Sequence, residues 1–269
     1  MSRPVITFEN VSKEFKLSNL RVRSLQEMFV SMFNKEMRGK RRFWALDNVS
    51  FTINAGETVA LVGTNGSGKS TALKLISRII DPTLGTITIS GRLSALLELG
   101  AGFHPDLSGR ENIFLNGSIL GLSRREMSQK LDAIIDFADI GEFIDVPIRN
   151  YSSGMQMRLG FSVAVHVDPQ IILVDEVLAV GDHKFQQKCL KRIRKLQNEG
   201  VTILFVSHDF DDVRELCNRA IWLDHGVLQG DGDVNEVLGR IENTYESNGQ
   251  AKPLLSSNKT EVELSKVEL

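Results

Sequence analysis

Residues 63–70 constrain this chain most, because they match the phosphate-binding pattern Gly-x-x-x-x-Gly-Lys-[Ser/Thr]. The preceding run, Thr58–Val62, is apolar and β-prone, and residues 71–78 have the apolar spacing of a helix. A glycine-rich turn between a strand and a helix lets main-chain N–H groups and the positive end of the helix converge on phosphate oxygens. The sequence therefore predicts a nucleotide site.

The same loop predicts roles for individual side chains. Lys69 is expected to reach the β- and γ-phosphates, and Ser70 is expected to place a hydroxyl group where Mg²⁺ needs an oxygen ligand. The predicted nucleotide-binding residues of the loop are Gly63, Thr64, Asn65, Gly66, Ser67, Gly68, Lys69, Ser70 and Thr71.

The composition is that of an ordinary soluble globular protein, with 42% hydrophobic and 25% charged residues among 269. Its apolar runs are far shorter than the roughly 18 residues needed to span a bilayer, and the first residues lack the apolar stretch of a signal peptide. We therefore expect a cytoplasmic chain with one large domain or one domain and a subdomain. Cys189 and Cys217 are expected to be reduced, structural thiols.

The net charge of −2 conceals a local basic segment. Residues 16–42 hold eight basic side chains against Glu27 and Glu36, which gives this segment a charge of +6 and leaves −8 for the remainder. Such a distribution argues against a general nucleic-acid binder and favours one local basic feature.

Apolar spacing divides the chain into three parts. The opening is β-rich, with alternating residues at 5–8, 50–53, 87–89 and 93–97. Between Gly109 and Ala138 the spacing becomes helical, with a break at residues 121–123, and predicts a helical subdomain over about residues 100–165.

The last third returns to an α/β pattern. Residues 170–175 and Thr202–Val206 have the composition of buried parallel strands, and a helical pattern from His183 to Asn198 separates them. The fold class predicted is therefore α/β, with a mixed sheet, an antiparallel β part and an inserted helical subdomain.

Three further motifs follow the phosphate loop in order: residues 151–155 (Tyr-Ser-Ser-Gly-Met), residues 171–176, which end in Asp-Glu, and residues 207–209 (Ser-His-Asp). This series resembles the ATP-binding subunits of ABC transporters, which carry a phosphate loop, a signature loop, an Mg²⁺-binding aspartate, a catalytic glutamate and a switch histidine. The resemblance covers roughly residues 4–240. It implies an ABC-type nucleotide-binding domain with a RecA-like core, ATP hydrolysis, and ATP and Mg²⁺ as cofactors.

The family's roles fit the chemistry of these side chains. Asp175 would hold Mg²⁺ through water, and Glu176 would polarise the attacking water as a general base. His208 would contact the γ-phosphate or that water, so the predicted catalytic residues are Glu176, His208 and Lys69. Asp182 corresponds to the family's D-loop aspartate at a subunit interface, and its alternative role is that of a helix N-cap.

The signature loop implies a dimer. In the family this loop binds the γ-phosphate of an ATP molecule held by the phosphate loop of the other subunit, a role that would fall here to Ser152, Ser153 and Gly154. A homodimer closed around two ATP molecules is therefore expected to be the active form.

The chain departs from the family pattern at several positions. The usual Leu-Ser-Gly-Gly-Gln becomes residues 151–155, and the nearest counterpart of the Q-loop glutamine is Glu98, which is a candidate metal ligand. Adenine normally stacks on an aromatic side chain after the first strand. That residue would be Phe15, but the basic segment follows at once and makes Phe43 and Trp44 alternatives.

The motifs around residues 43–46, 97–105, 109–113 and 175–182 resemble one subfamily in particular, the ATPase subunits that export lipid-linked polysaccharides such as O-antigen, capsule and teichoic acid. The resemblance implies a separate multi-pass transmembrane permease as partner, a lipid-linked polysaccharide as substrate, and a location at the cytoplasmic face of the inner membrane. The expected domains are an ATPase domain at 1–240 and a polar tail at 241–269, without a carbohydrate-binding domain.

Two other functions stay open at this point. The chain could belong to an ABC importer, because the chemistry of hydrolysis does not encode direction. It could also be a soluble ABC ATPase acting on ribosomes or DNA, although the acidic remainder of the chain disfavours nucleic acid.

The basic segment over about residues 16–42 includes an amphipathic pattern. Leu25, Met28, Phe29, Met32 and Phe33 share one helical face, with basic residues at both ends. This pattern favours a helix at the membrane surface, and a helix packed on the domain's own core is the alternative.

Overall fold

The computed structural model describes residues 3–17, 41–96, 100, 102–175, 182–207 and 209–247. Three predicted site residues, Glu98, Glu176 and His208, lie outside the described residues. So do residues 18–40 of the basic segment, with its amphipathic pattern, and the chain beyond Ser247.

The structure contains strands and helices in the alternating order that the sequence predicts. The strands are β1 (Pro4–Leu17), β2 (Arg41–Asn54), β3 (Thr58–Val62), β4 (Leu84–Ile89), β5 (Leu93–Ala95), β6 (Ile171–Val174), β7 (Thr202–Val206), β8 (Arg219–Asp224) and β9 (Val227–Asp233). The helices are α1 (Lys69–Ile76), α2 (Gly109–Ile119), α3 (Arg124–Ala138), α4 (Ser153–His166), α5 (His183–Asn198), α6 (Phe210–Leu216) and α7 (Val234–Ser247).

A six-stranded sheet in the order β5-β6-β7-β3-β8-β9 forms the centre of the molecule. Its first five strands run parallel, and β9 pairs antiparallel with β8. Every residue of β3, β6 and β7 is buried, as expected for parallel strands covered on both faces. Because β3, β6 and β7 are parallel neighbours, the segments that follow them meet at one edge of the sheet.

A second sheet, ordered β2-β1-β4, is antiparallel throughout. Phe8 of β1 and Phe51 of β2 are register partners and stack at a centroid distance of 4.4 Å. At the other end of this strand pair Leu17 is the partner of Arg41, so the residues on either side of 18–40 are neighbours.

Alternate residues of the central strands supply two hydrophobic cores. Val59 and Leu61 of β3 join a core with helix α1 and the antiparallel sheet. Ala60 and Val62 face the other side, where the core includes residues from α4, α5, α6 and α7. The mixed α/β class with an antiparallel part and an inserted helical part is confirmed.

The inserted helices have a core of their own, which includes Ile113, Met127 and Ile134. Helices α2 and α3 each begin with a capping box, formed by Ser108 with Glu111 and by Ser123 with Glu126. Both helices lie in the stretch where the sequence predicted helical spacing, and the break between them falls at the predicted glycine-containing turn.

The chain stays packed beyond residue 240, although the sequence predicted a polar tail at 241–269. Helix α7 continues to Ser247, and its Ile241 and Tyr245 are buried in the core. The buried positions recur every three or four residues, but polar residues separate them and concealed the stripe. Among the helices that the structure describes, none has the length and apolar character to cross a membrane.

Candidate nucleotide site

The phosphate loop connects the end of β3 to the start of α1, and its backbone admits only glycine at two positions. Gly63 has a φ of 151° and Gly68 a φ of 108°. A Cβ atom on Gly63 would lie 2.0 Å from the carbonyl oxygen of Leu223, and one on Gly68 would lie 2.6 Å from the carbonyl oxygen of Ala45. The glycines of the motif therefore let the loop pack directly against neighbouring main chain.

Gly226, in the turn between β8 and β9, forms main-chain hydrogen bonds with the phosphate loop and with strand β2. Its N–H group donates to the carbonyl oxygen of Ser67 at 3.0 Å, and its own carbonyl oxygen accepts from the N–H group of Asp47 at 2.8 Å. Strand β2, the phosphate loop and the β8–β9 turn thus form one hydrogen-bonded unit, which keeps the loop in shape.

Lys69 begins helix α1 and is only 7% exposed. Its ammonium group donates hydrogen bonds to the carbonyl oxygens of Gly63, at 2.8 Å, and Thr64, at 3.0 Å. A buried ammonium group needs such partners, since desolvation of an unpaired charge is costly. The side chain therefore lies along the loop whose main-chain N–H groups are suited to phosphate.

A cavity of about 310 Å³ opens at this loop. It is lined by Phe43, Ala45, Asn65, Gly66, Gly68, Lys69, Ser70, Thr71, Asp175 and Val206. The structure therefore brings together six of the nine predicted loop residues with the predicted metal ligand Asp175.

Asp175 lies directly after the buried strand β6, at the sheet edge where β3 also ends. The exposed Ser70 lines the same cavity as Lys69 and Asp175, so residues with a hydroxyl group, a carboxylate and an ammonium group surround one space. In the part of the chain that the structure describes, no group of three His, Cys, Asp or Glu side chains could hold a metal ion. A cation here would need additional oxygen ligands, which fits Mg²⁺ because it is usually held by one or two carboxylates together with substrate phosphates.

Of the three aromatic candidates for stacking on adenine, Phe43 lines the cavity. Phe15 is the register partner of Phe43 across the β1–β2 pair, so both side chains lie on one face of that sheet. Trp44 is the next residue of the strand, so its side chain points to the opposite face of the sheet, and its role in nucleotide binding stays a prediction. Phe15 is near the cavity through Phe43 but does not line it.

The signature loop leads into helix α4. Ser152 is the N-cap of that helix and accepts a hydrogen bond from the N–H group of Met155 at 3.2 Å. Ser152 and Ser153 are exposed, and Ser152, Ser153 and Gly154 are not among the residues that line the described cavity. One subunit alone therefore places this predicted phosphate-binding loop on its surface.

Asp182 is the N-cap of helix α5, where one carboxylate oxygen accepts from the N–H group of Phe185 at 2.8 Å. The other oxygen lies 3.5 Å from the guanidinium group of Arg158 in helix α4. The helix-cap role is therefore observed, and a role at a subunit interface stays a prediction.

Comparisons with known proteins agree with this geometry. A profile of the ABC transporter family matches residues 46–179. The chain is 48% identical over 236 residues to the O-antigen export system ATP-binding protein RfbB of Klebsiella pneumoniae, covering 87% of this chain and 96% of that protein. It is 43% identical to the teichoic acids export ATP-binding protein TagH of Listeria innocua, covering 88% of this chain and 69% of that protein.

The fold is also that of a solved structure, the dimeric bacterial ABC transporter cassette MJ0796. The TM-score is 0.66 and the identity is 25%, covering 85% of this chain and 98% of that one.

Proposed function

Since this chain belongs to the ABC transporter family and is an ATPase of that family, we propose that it powers the export of a lipid-linked polysaccharide, of the O-antigen class, across the bacterial inner membrane. One observation carries the proposal. Relatives described as ATP-binding proteins of O-antigen and teichoic acid export are 43–48% identical over nearly the whole described domain.

The cavity supports the ATPase chemistry. Lys69 binds the β- and γ-phosphates by exchanging its two carbonyl partners for phosphate oxygens, and the N–H groups of the loop bind the remaining oxygens. Ser70 and Asp175 would hold Mg²⁺, and the cation would supply positive charge that neutralises the phosphates. Phe43 offers a half-exposed ring, 50% accessible, for stacking on the base.

Glu176 follows Asp175 directly and acts as the general base that orients the attacking water. His208 follows strand β7, whose neighbours in the sheet are β6 and β3, and contacts the γ-phosphate or the same water. Glu98 is proposed as a third metal-directed group on the basis of the Q-loop resemblance alone.

The active form proposed is a homodimer. The exposed Ser152 and Ser153, with Gly154, would complete the site of a partner subunit, and the solved structure with this fold is a dimeric cassette. A hydrolysis step that needs both subunits couples ATP turnover to opening and closing of the dimer.

The transport partner proposed is a separate multi-pass transmembrane permease, with the ATPase bound to it at the cytoplasmic face of the inner membrane. The proteins RfbB and TagH, by their descriptions, serve export systems. The basic segment at 16–42 is proposed to contribute by contacting lipid head groups.

The test is to capture the chain from detergent-solubilised bacterial membranes, identify the proteins that accompany it, and assay ATP hydrolysis in the same sample. A multi-pass membrane protein encoded beside polysaccharide genes, with activity abolished by Glu176→Gln while ATP binding remains, is the expected result. Capture with ribosomes or DNA would overturn the transport function but leave the ATPase site standing. A permease that imports its substrate would reverse the proposed direction.

A further inference from the structure

A second cavity lies where helices α3, α4 and α5 meet, and among the described residues it shares none of its lining with the nucleotide cavity. Its volume of about 600 Å³ is typical of a small-molecule site. The end of α3, one residue of α4 and the first half of α5 form its wall. Five of the lining side chains are basic, namely Arg158, His183, Lys184, Lys188 and Lys191.

Three of these side chains form a row of lysines along the wall. Lys184, Lys188 and Lys191 are four and three residues apart in α5, so they lie on one face of the helix. A helix rises about 1.5 Å per residue, so the row spans about 10 Å. It is therefore long enough to contact more than one phosphate group of a ligand.

Two of the cations are held in place by main-chain carbonyl groups. Lys188 donates hydrogen bonds to the carbonyl oxygens of Asp136, at 2.9 Å, and Phe137, at 3.0 Å, in the last turn of α3. An ammonium group has three N–H donors, so Lys188 keeps one for a ligand. Arg158 donates to the carbonyl oxygen of Asp139 at 3.2 Å. These positive charges are thus positioned before any ligand binds.

The formal charges around the cavity do not balance. Arg158 is matched by the carboxylate of Asp139, at 3.8 Å, and also lies 3.5 Å from that of Asp182. The three lysines share the wall with one further carboxylate, that of Asp136, which leaves a charge of +2 with His183 counted as neutral. Among the ion pairs of the described residues, none includes a lysine of the row.

The stability of helix α5 does not explain the row of lysines. The helix contains six Lys and Arg residues and no Asp or Glu, so its like charges repel one another. Lys184 lies in the first turn, where the helix dipole disfavours a cation. Side chains that weaken the element to which they belong are expected where they serve a function.

We propose that this cavity is a second anion site, which binds a ligand carrying two or more phosphate groups through Lys184, Lys188 and Lys191. Ammonium groups bind phosphate oxygens by charge-assisted hydrogen bonds, and a cavity suits a compact anion better than an extended acidic chain. A soluble polyphosphate and a phosphorylated lipid head group present the same chemistry. The inference goes beyond the proposed function and does not depend on it.

A ligand in this cavity would also affect the contact between helices α4 and α5. Arg158 belongs to α4, which begins at the signature loop, and its guanidinium group contacts the carboxylate of Asp182. A bound phosphate group would compete with that carboxylate for the guanidinium group. The cavity therefore connects an anion to two segments that are predicted to meet the partner subunit.

The experiment uses the full chain and measures the dissociation constant of pyrophosphate by calorimetry. Saturating ADP occupies the phosphate loop, and the buffer contains no Mg²⁺ because the cation complexes pyrophosphate. Lys184→Gln and Lys191→Gln each remove one charge from the cavity. Lys195→Gln is the matched control, because Lys195 lies on the same face of α5 but pairs with Glu199 and does not line the cavity.

Two further probes identify the source of the anion. Flotation with phosphatidylcholine vesicles that contain phosphatidic acid tests a lipid head group, with the same three variants. A glutamate-rich peptide, titrated like pyrophosphate, tests an acidic protein segment instead.

Lys184→Gln and Lys191→Gln should each raise the dissociation constant of pyrophosphate about three- to tenfold, and Lys195→Gln should change it by less than about twofold. This result supports a soluble ligand, whereas the same ranking in vesicle binding alone supports a lipid. Equal effects of all three variants, no binding of either phosphate probe, or tighter binding of the peptide would overturn the inference. Failure to bind ADP would count against the nucleotide site and not against this cavity, since the lysine variants distinguish the two.

Discussion

The hydroxyl group of Tyr151 donates a hydrogen bond to the carbonyl oxygen of Phe143 at 2.5 Å, which ties the signature loop to the helical part of the molecule. Phe143 lies in the short 3₁₀ helix Gly141–Asp145. The same hydroxyl group fills the space above Gly109, where a Cβ atom would lie 2.2 Å from it. A leucine, the family's usual residue at this position, has no group that could make this bond.

Tyr151→Phe is therefore expected to loosen the signature loop without altering the phosphate loop of the same subunit. The free energy of unfolding should fall by about 1 kcal/mol, because the carbonyl oxygen of Phe143 loses a buried partner. Hydrolysis by the dimer should slow while ATP affinity of the chain stays unchanged. Chemical denaturation, calorimetry and an ATPase assay on one preparation would check this, and weakened ATP binding would contradict it.

We expect Tyr151 to make the stability of the folded chain depend on pH in the alkaline range. Burial raises the pKa of Tyr151 to about 12 from an ordinary value of 10.0, and the nearby Asp145 carboxylate adds to the rise. Because the folded pKa lies above the unfolded one, the contribution of this group to stability is complete below pH 10 and is lost as pH rises towards 12. Denaturation midpoints measured from pH 9 to 12 should fall less steeply in Tyr151→Phe than in the unaltered chain. Parallel curves would show that another group is responsible.

Gly68→Ala is expected to damage the phosphate loop. The new methyl group would collide with the carbonyl oxygen of Ala45 at 2.6 Å and with the side chain of Leu46 at 2.7 Å, at a φ of 108° that alanine avoids. A loss of several kcal/mol in stability is expected from clash and strain together. Gly232→Ala is the matched control, because nothing lies within 4 Å of its Cβ position and its φ is not positive. Thermal denaturation should separate the two variants clearly, and equal midpoints would contradict the tight packing of the loop.

The guanidinium group of Arg158 contacts three other side chains, so replacing Arg158 should remove three interactions at once. Its guanidinium group lies 3.5 Å from the Asp182 carboxylate, 3.8 Å from that of Asp139, and 4.8 Å from the centre of the Phe185 ring. Arg158→Ala should lower the free energy of unfolding by about 1–2 kcal/mol and slow hydrolysis, with Arg158→Lys intermediate, because lysine keeps the charge but not the planar stack.

A surface arginine provides the control for that experiment. Arg149 pairs with Asp106, and both side chains are more than half exposed, so Arg149→Ala should change stability by less than about 0.5 kcal/mol. Denaturant titrations of the three variants would rank them. If Arg149→Ala proved as costly as Arg158→Ala, the special position of Arg158 would be refuted.

The two thiols should be inert in the native protein. Burial raises the pKa of both Cys189 and Cys217 to about 12, so almost no thiolate is present at pH 8. A chromogenic disulfide reagent should therefore react with both cysteines in denaturant and with neither at a comparable rate in buffer. Fast reaction of either thiol in the folded chain would contradict its burial.

Local patterns were enough to predict some elements to the residue. Strands β3 and β7 and helix α5 have the bounds expected from apolar runs and, for α5, from an aspartate at the N-cap. Local patterns could not show that Phe43, and not Trp44, lines the cavity. The face to which each ring points depends on the register between β1 and β2, in which Phe15 meets Phe43 across a long intervening segment.

The packing of the C-terminal helix α7 also could not be predicted from local sequence patterns. Residues 241–247 look polar in sequence, and Tyr245 becomes a buried core residue only because the fold packs this helix against β8 and β9. Helical periodicity could have shown the stripe, but its partner lies far away in sequence. Contacts of this kind are made by the tertiary fold and leave little local signal.

The register pairing of Leu17 with Arg41 has a consequence for how this molecule can change. Leu17, the last residue of β1, pairs with Arg41, the first residue of β2, so the two strands are hydrogen-bonded up to the point where residues 18–40 begin and end. This pairing does not depend on how many residues connect the two strands. The entropy of closing a longer connection grows only with the logarithm of its length. Evolution, or an engineer inserting a probe or tag, can therefore exchange residues 18–40 as a unit while the flanking strands keep Phe43 in place.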